Sequence, residues 1–432
     1  MSLKTADEPV VLTEYDSAAL QLTADQARLL RRLAREKISV LPGGGAAEWH
    51  VKTSHYVGTI VTPDVRILIT PKVNTANLFY LLEASGNPVD IGPAVFDYDK
   101  TRDLIPSFAT FYARHLEKAL ARGIPRAYQE IQERVPGIRG RVDLPAQMRL
   151  AGLPLPAECS FSEFTADIRL NRILRAAAGR LLRLPRVTIP TRLALQRLAA
   201  ALGESGSLMP GDLRTPTVFD RLNKHCRPAE QLARLALGNE TLLNAAGGAG
   251  AGAFLIDMNK AFESFVAARL DRHLTGRLTV NPQRTAKLDV EESISIVPDL
   301  IFERRPGNIA YVADTKYKIT ADGYARDRDY YQILAYTRAL DVPAGMLIYC
   351  QRDGDAPPTS ITVGAHQTRL DTSALALTGT PADIEHRVQT LANQIIQKTG
   401  LLPAVRPVAA DVNALPAPTG PIVAPPRKHH YW

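Results

Sequence analysis

The sequence predicts an α+β multidomain protein with a β-rich N-terminal domain, a central helical region and a C-terminal α/β domain. Three observations predict it. Short apolar runs separated by Gly, Pro and Asp dominate residues 8–73, apolar residues recur at helical spacing from Asn77 to about Glu240, and helical and strand-like segments alternate beyond residue 254. At 432 residues the chain exceeds what one hydrophobic core usually serves, so several domains are expected.

The apolar runs Val10–Thr13, Tyr56–Val61 and Val65–Ile69, with one helix at 24–36, give a domain over 1–76. Residues 77–243 follow as a helical, basic docking region. Within it Phe108, Phe111, Tyr112, Leu116 and Leu120 share a helix face, and Leu170, Ile173, Leu174 and Leu181 mark a helix interspersed with arginines. The small residues of 244–253 have nothing to bury and read as a linker. Residues 254–400 form the α/β domain, with a helix at 254–274, strands over 278–318, a helix at 324–341 and a strand at 344–350. The prolines of 401–432 predict a disordered tail.

Composition excludes several classes. With 45% hydrophobic and 22% charged residues the chain is of globular type, no apolar run reaches membrane-spanning length, and the first residues lack the order of a secretory signal, so a cytoplasmic protein without membrane association is expected. Cys159, Cys226 and Cys350 have no metal-ligand or disulfide spacing. No GxxxxGK[ST] run occurs, which excludes a P-loop of the chain's own. The net charge of +8 is uneven: residues 111–200 hold sixteen Lys and Arg against seven Asp and Glu. That surplus suits a polyanion or an acidic protein rim, and equally a solvated basic surface.

The segment from Val297 to Lys318 carries the chemistry. Pro306-Gly307-Asn308 supplies a turn between two β-prone runs, giving a hairpin with Asp299 entering one strand and Asp314 and Lys316 leaving the other. Residues two apart on a strand share a face, so Asp314 and Lys316 project together, Thr315 points away, and Asp299 reaches the same side across the hairpin. Two carboxylates and an ammonium make poor core material but a good site for Mg²⁺ or Mn²⁺, with Lys316 placed to orient a water or stabilise charge on a phosphate. Glu263, on the helix before, offers a third carboxylate. The expected metal set is Asp299, Asp314, Glu263 and Thr315. Gln332 and Tyr336, four apart on one helix face, are expected to contact a DNA phosphate or the catalytic water. The competing reading makes Asp314 and Lys316 an exposed strand pair and Glu263, Gln332 and Tyr336 ordinary helix residues.

Taken together, Thr70-Pro71-Lys72-Val73 with Asn77-Leu78-Phe79, Gly137-Ile138-Arg139-Gly140-Arg141-Val142-Asp143, Asn171-Arg172-Ile173-Leu174, Asn259 to Val266, Pro298-Asp299 and Asp314-Thr315-Lys316-Tyr317 resemble the McrC subunit of McrBC-type, 5-methylcytosine-specific restriction systems. The resemblance spans roughly residues 55–350. It implies a PD-(D/E)xK nuclease domain at 254–400 with Asp299, Asp314 and Lys316 as catalytic trio, to which the residue reading adds Glu263 and Gln332. It also implies an McrB-like AAA+ GTPase ring as partner, which binds the GTP, recognises double-stranded and possibly methylated DNA, and is stimulated by this chain.

Residues 1–240, without an acid cluster of their own, are then expected to dock and activate that partner. Arg139, Arg141, Arg172 and Tyr336 are the expected contacts to DNA or partner. An arginine of the Gly137–Asp143 segment acts in trans on the partner's nucleotide, or the segment is a glycine-bounded turn with local salt bridges, the favoured reading. A non-catalytic adapter of an AAA+ motor and a stand-alone repair nuclease are the alternatives to a restriction nuclease.

Overall fold

The computed structural model describes residues 9–45, 47–84, 104–149, 156–184, 186–238, 252–317, 327–351, 358–364 and 366–400. The expected tail at 401–432 and all but the last two residues of the expected linker at 244–253 lie outside them. The N-terminal unit contains β1 (Val10–Thr13), β2 (Ser17–Gln21), α1 (Ala24–Ala34), β3 (Ser39–Pro42), β4 (Glu48–Lys52), β5 (Tyr56–Val61) and β6 (Arg66–Thr70). The central region contains α2 (Thr75–Ala84), α3 (Leu104–Leu120), β7 (Ala127–Val135), β8 (Arg141–Val142), α4 (Leu144–Met148), β9 (Ala157–Thr165), α5 (Arg169–Leu182), α6 (Ile189–Ala201) and α7 (Arg227–Gly238). The C-terminal part contains β10 (Gly252–Asp257), α8 (Met258–Leu274), β11 (Thr279–Pro282), β12 (Ala286–Lys287), β13 (Ser295–Ile296), β14 (Leu300–Arg305), β15 (Asn308–Lys316), α9 (Asp327–Ala339), β16 (Ala344–Gln351), β17 (Thr359–Val363), β18 (Thr368–Ala376) and α10 (Pro381–Lys398).

The N-terminal unit is β-rich, as expected, and its helix starts on a reciprocal cap. The Thr23 hydroxyl accepts from the Gln26 N–H while the Gln26 side chain accepts from the Thr23 N–H. Ala27, Leu30, Leu33 and Ala34 turn inward from α1, the spacing of one buried helix face. One sheet has the order β2-β4-β3 and the other β1-β6-β5-β10, so the second is completed by a strand nearly two hundred residues downstream.

That strand corrects two expectations. The helix expected at 254–274 begins only at Met258, capped by Asp257, whose carboxylate accepts from the Lys260 N–H. Residues 252–257 are β10, and the last two linker residues, Gly252 and Ala253, belong to it. The apolar run Phe254-Leu255-Ile256 conceals the strand because both of its faces are buried. Ala253 and Leu255 enter the N-terminal core, whereas Phe254 and Ile256 enter the larger core beyond. Opposite them stands Gly58, at φ +144°, where a Cβ would lie 1.9 Å from the Phe254 carbonyl oxygen. Only glycine permits this pairing.

The central region is not wholly helical. It carries a three-stranded sheet, β7-β9-β8, with Ala127 to Val135 paired along Thr165 to Ala157. β7 has no fully buried residue and no strict alternation, and β9 buries only Ala157, Cys159 and Phe161, so helical periodicity in the flanking segments masked both. Apart from this sheet, whose few buried residues form their own cluster, α3, α5, α6 and α7 form a helical cluster with a continuous apolar core.

The C-terminal sheet has the order β11-β14-β15-β16-β18-β17. β15, β16 and β18 are parallel, and β11, β14 and β17 join antiparallel. Alternation assigns the faces: Leu300, Phe302, Ala313, Met346 and Ile348 pack towards α8 and α10, and Ile301, Val312, Leu347 and Tyr349 pack with Ile333 and Tyr336 of α9. The first of these cores runs without a break into the central helices, so the two regions share one interior. Among the described residues no helix is long and apolar enough to cross a membrane.

Candidate active site

The β14–β15 hairpin turns at Pro306-Gly307, with Gly307 at φ +81°, and pairs Leu300 with Ala313. This register sets Asp299, one residue before β14, beside the end of β15. Asp299 Oδ2 accepts from the Thr315 backbone N–H at 2.7 Å and from the Thr315 hydroxyl at 2.8 Å. Thr315 therefore turns away from Asp314, as alternation requires, but onto Asp299. Thr315, expected in the metal set, spends its N–H and hydroxyl proton on holding the Asp299 carboxylate.

Asp314 and Lys316 lie on the α9 side of the strand. Lys316 Nζ stands 2.5 Å from Asp314 Oδ2 and donates to Gln332 Oε1 at 2.8 Å. From there Gln332 Nε2 donates to Tyr336 Oη at 2.7 Å, and Tyr336 Oη donates to the Val297 carbonyl at 3.4 Å. Asp314 is 1% exposed, which removes the reading of an exposed strand pair. The sequence reading missed Asp329, buried three residues before Gln332 on α9, which accepts from the Tyr349 hydroxyl at 2.9 Å. Its spacing from Gln332 was the available signal.

Glu263 reaches the same neighbourhood from α8, held there by Gln283 Nε2. Burial, reinforced by the charges of Asp299 and Asp314 and opposed by the Gln283 hydrogen bond, pushes its carboxyl up to about 7. Asp314 is also raised, by burial first and Asp299 next, against the pull of Lys316. For Lys316 burial favours the neutral amine, yet Asp314 and Asp299 outweigh it and hold the ammonium above the usual lysine value. Three acids thus repel one another around one cation. A cavity of about 550 Å³ opens beside Glu263, lined in part by Lys260, Ser264, Val280, Pro282 and Gln283.

Among the described residues no three His, Cys, Asp or Glu side chains are gathered closely enough to hold one metal ion. Gln283 holds Glu263, Thr315 holds Asp299 and Lys316 holds Asp314, which keeps the like charges apart. The chemistry of the donors nonetheless fits a hard divalent cation, which favours carboxylate oxygens and would offset the cost of keeping like charges close together.

The arginines fall elsewhere. Arg172 is buried; its Nε and Nη2 donate to Asp212 at 3.0 and 3.2 Å, and its Nη1 donates to Asp167 at 3.1 Å. It is a structural cation, so the expected DNA or partner contact at Arg172 is corrected. Arg139 stacks 4.1 Å from the Phe161 ring centroid and pairs with Glu163 at 3.6 Å, and Arg141 lies on the exposed strand β8. Gly140, at φ +71°, approaches β9 so closely that a Cβ would lie 2.5 Å from the Ser160 carbonyl oxygen. The glycine-bounded segment therefore has a sufficient local reason in the sheet.

A family model described as the McrBC 5-methylcytosine restriction system component matches residues 51–350. Among solved structures the chain is similar to a refined half-complex from a tetradecameric assembly of Thermococcus gammatolerans McrB AAA+ hexamers with bound McrC, at 20% identity and a TM-score of 0.54, covering 90% of this chain and 100% of that one. It also matches a chain of the Thermococcus gammatolerans McrBC complex at 21% identity and a TM-score of 0.39, covering 62% of this chain and 88% of that one. No curated protein sequence matches.

Proposed function

The chain belongs to the McrBC 5-methylcytosine restriction system component family, and from that premise we propose that it is the McrC-type nuclease subunit, hydrolysing DNA phosphodiesters at the Asp299–Asp314–Lys316 site. The observation that carries the reading is the buried Asp314–Lys316 ion pair, faced by Asp299 and Glu263; burial first, and the charge of Asp299 next, raises both Asp314 and Glu263. A structural ion pair does not call for two further carboxylates beside it.

Asp299, Asp314 and Glu263 are the residues that would hold Mg²⁺ or Mn²⁺. When bound, such a cation would polarise the phosphate as a Lewis acid and lower the pKa of a bound water below that of bulk water. Lys316 stays protonated and stabilises the charge that develops on the phosphate, aimed by Asp314 and Gln332. Tyr336 keeps the Gln332 amide in register. Thr315 keeps Asp299 facing the site.

The partner in this reading is an McrB-like AAA+ GTPase ring, which supplies the nucleotide site that the chain lacks and the selection of double-stranded, possibly methylated DNA. Similarity to a chain from an assembly of McrB hexamers with bound McrC supports it. Residues 1–240 serve docking and activation, but not as a separable fragment, because β10 completes their sheet and α8 shares their core.

The test is a cleavage assay with Mg²⁺, GTP and the partner, comparing the native chain with Asp314→Ala. Cleavage only by the native chain is expected; equal cleavage by both removes the assignment.

A further inference from the structure

Glu14 follows β1 where it runs parallel to β6, and its backbone N–H donates to the Thr70 carbonyl at 3.3 Å. Its side chain is buried at 1% exposure. Oε1 accepts two hydrogen bonds, from the Lys72 N–H at 2.9 Å and from the Tyr317 hydroxyl at 3.0 Å. Oε2 has no partner among the described residues. Tyr317, 2% exposed, is the residue directly after Lys316, and its ring lies 6.0 Å from that of Phe262, the residue directly before Glu263.

A second attachment runs to α8. β10 pairs along β5, and the Met258 N–H donates to the His55 carbonyl at 3.0 Å, so α8 grows directly out of the N-terminal sheet. The same sheet therefore grips both elements that bear the acids, β15 at its end and α8 at its start.

A half-satisfied buried carboxylate is an inefficient way to stabilise an interface, and two apolar residues of similar volume would do it better. What an O–H···O bond adds is a fixed separation and direction. We propose that Glu14 is a positioning residue: through Tyr317 it fixes the end of β15 relative to α8, and so sets how closely Glu263 approaches Asp299 and Asp314. The inference rests on reading those acids as the metal-binding set. Because the three are held apart on separate partners, a small shift of β15 against α8 decides whether they serve one cation.

The experiment uses the full chain with the GTPase partner, GTP and DNA, and titrates Mg²⁺. Tyr317→Phe removes only the hydroxyl, Glu14→Leu removes the acceptor, and Glu14→Gln keeps an amide oxygen able to accept both bonds. Tyr317→Phe and Glu14→Leu are expected to raise the Mg²⁺ concentration for half-maximal cleavage and to lower kcat on the order of tenfold, the scale of a slight misplacement of reacting groups. GTPase stimulation and KM for DNA stay unchanged, and Glu14→Gln behaves as the native chain. Native Mg²⁺ dependence in Tyr317→Phe, or equal damage from Glu14→Gln and Glu14→Leu, overturns the proposal, and Tyr317→Phe carries the test alone should Glu14→Leu not fold. Asp314→Ala measured alongside separates the two readings. If it still cuts, the nuclease assignment fails; if it is inactive while Tyr317→Phe is normal, only the positioning role fails.

Discussion

Two sheets of this chain invert the usual rule of burial in opposite directions. In the six-stranded sheet, Asp314 is buried, with Lys316, Asp329 and Glu263 close enough to act on its charge or to feel it. In the three-stranded sheet β7-β9-β8 and the loop and short helix beside it, Tyr128, Ile138, Met148 and Phe164 are left at 76%, 73%, 80% and 54% exposure. Buried charge and exposed apolar surface both cost stability, and neither is needed to build its sheet. In the proposed reading the first serves a cation and a phosphate, and the second is a surface to be probed by substitution.

The largest expected effect falls on the first sheet's function. Lys316→Ala is expected to lower cleavage on the order of a thousandfold, as loss of a group that stabilises developing charge does, while gel filtration with the partner is unchanged. Cleavage within a few-fold of native would show that the ion pair is structural. Next comes Arg172→Ala, which removes the guanidinium that donates two hydrogen bonds to buried Asp212 and leaves it only Arg169, at 3.8 Å, as a cation, and is expected to cost about 3 kcal/mol of stability. Chemical denaturation reads it, and a selective loss of DNA binding at native stability would restore the arginine as a contact residue.

Smaller again is Gly140→Ala in the exposed sheet, expected to cost roughly 1–3 kcal/mol for a strained left-handed backbone, sensed by amide exchange confined to β8 and β9. The smallest stability effect belongs to Tyr128→Ser combined with Phe164→Ser. A melting temperature near native, within about 0.5 kcal/mol for exposed positions, is expected together with weaker GTPase stimulation. Unchanged stimulation would strip the second sheet of its role in the comparison.

The hairpin was legible because its signals are local: Pro306-Gly307-Asn308 states the turn, and period-two spacing puts Asp314 with Lys316. Gln332 and Tyr336 were read from their spacing of four on one helix, and Glu263 as a carboxylate on the helix before the hairpin. β10 was not, because a strand buried on both faces has no alternation and its partner β5 is almost two hundred residues away. β7 and β9 were hidden by the helices around them. Arg172 looked like one of many solvent-facing arginines until the tertiary fold brought Asp212 and Asp167 to it. Glu14 carried no signal, since its significance depends on Tyr317 across 303 residues.

The central claim, that the acids of the first sheet are a metal site, is tested most directly by the pH dependence of Mg²⁺ stabilisation. Glu263 in the folded chain is raised to about 7 from its ordinary value of 4.5, chiefly by burial. Without metal, its contribution to stability is fully present below the ordinary value and is lost as pH rises through about 7. A cation binds the ionised form, so it competes with this proton and its effect grows over the same window. The measurement is the Mg²⁺-induced rise in melting temperature at pH 5.5 and at pH 8, for the native chain and Asp314→Ala. The account predicts a rise clearly larger at pH 8 in the native chain and nearly absent in Asp314→Ala. A rise that is equal at both pH values, or that survives in Asp314→Ala, would contradict it.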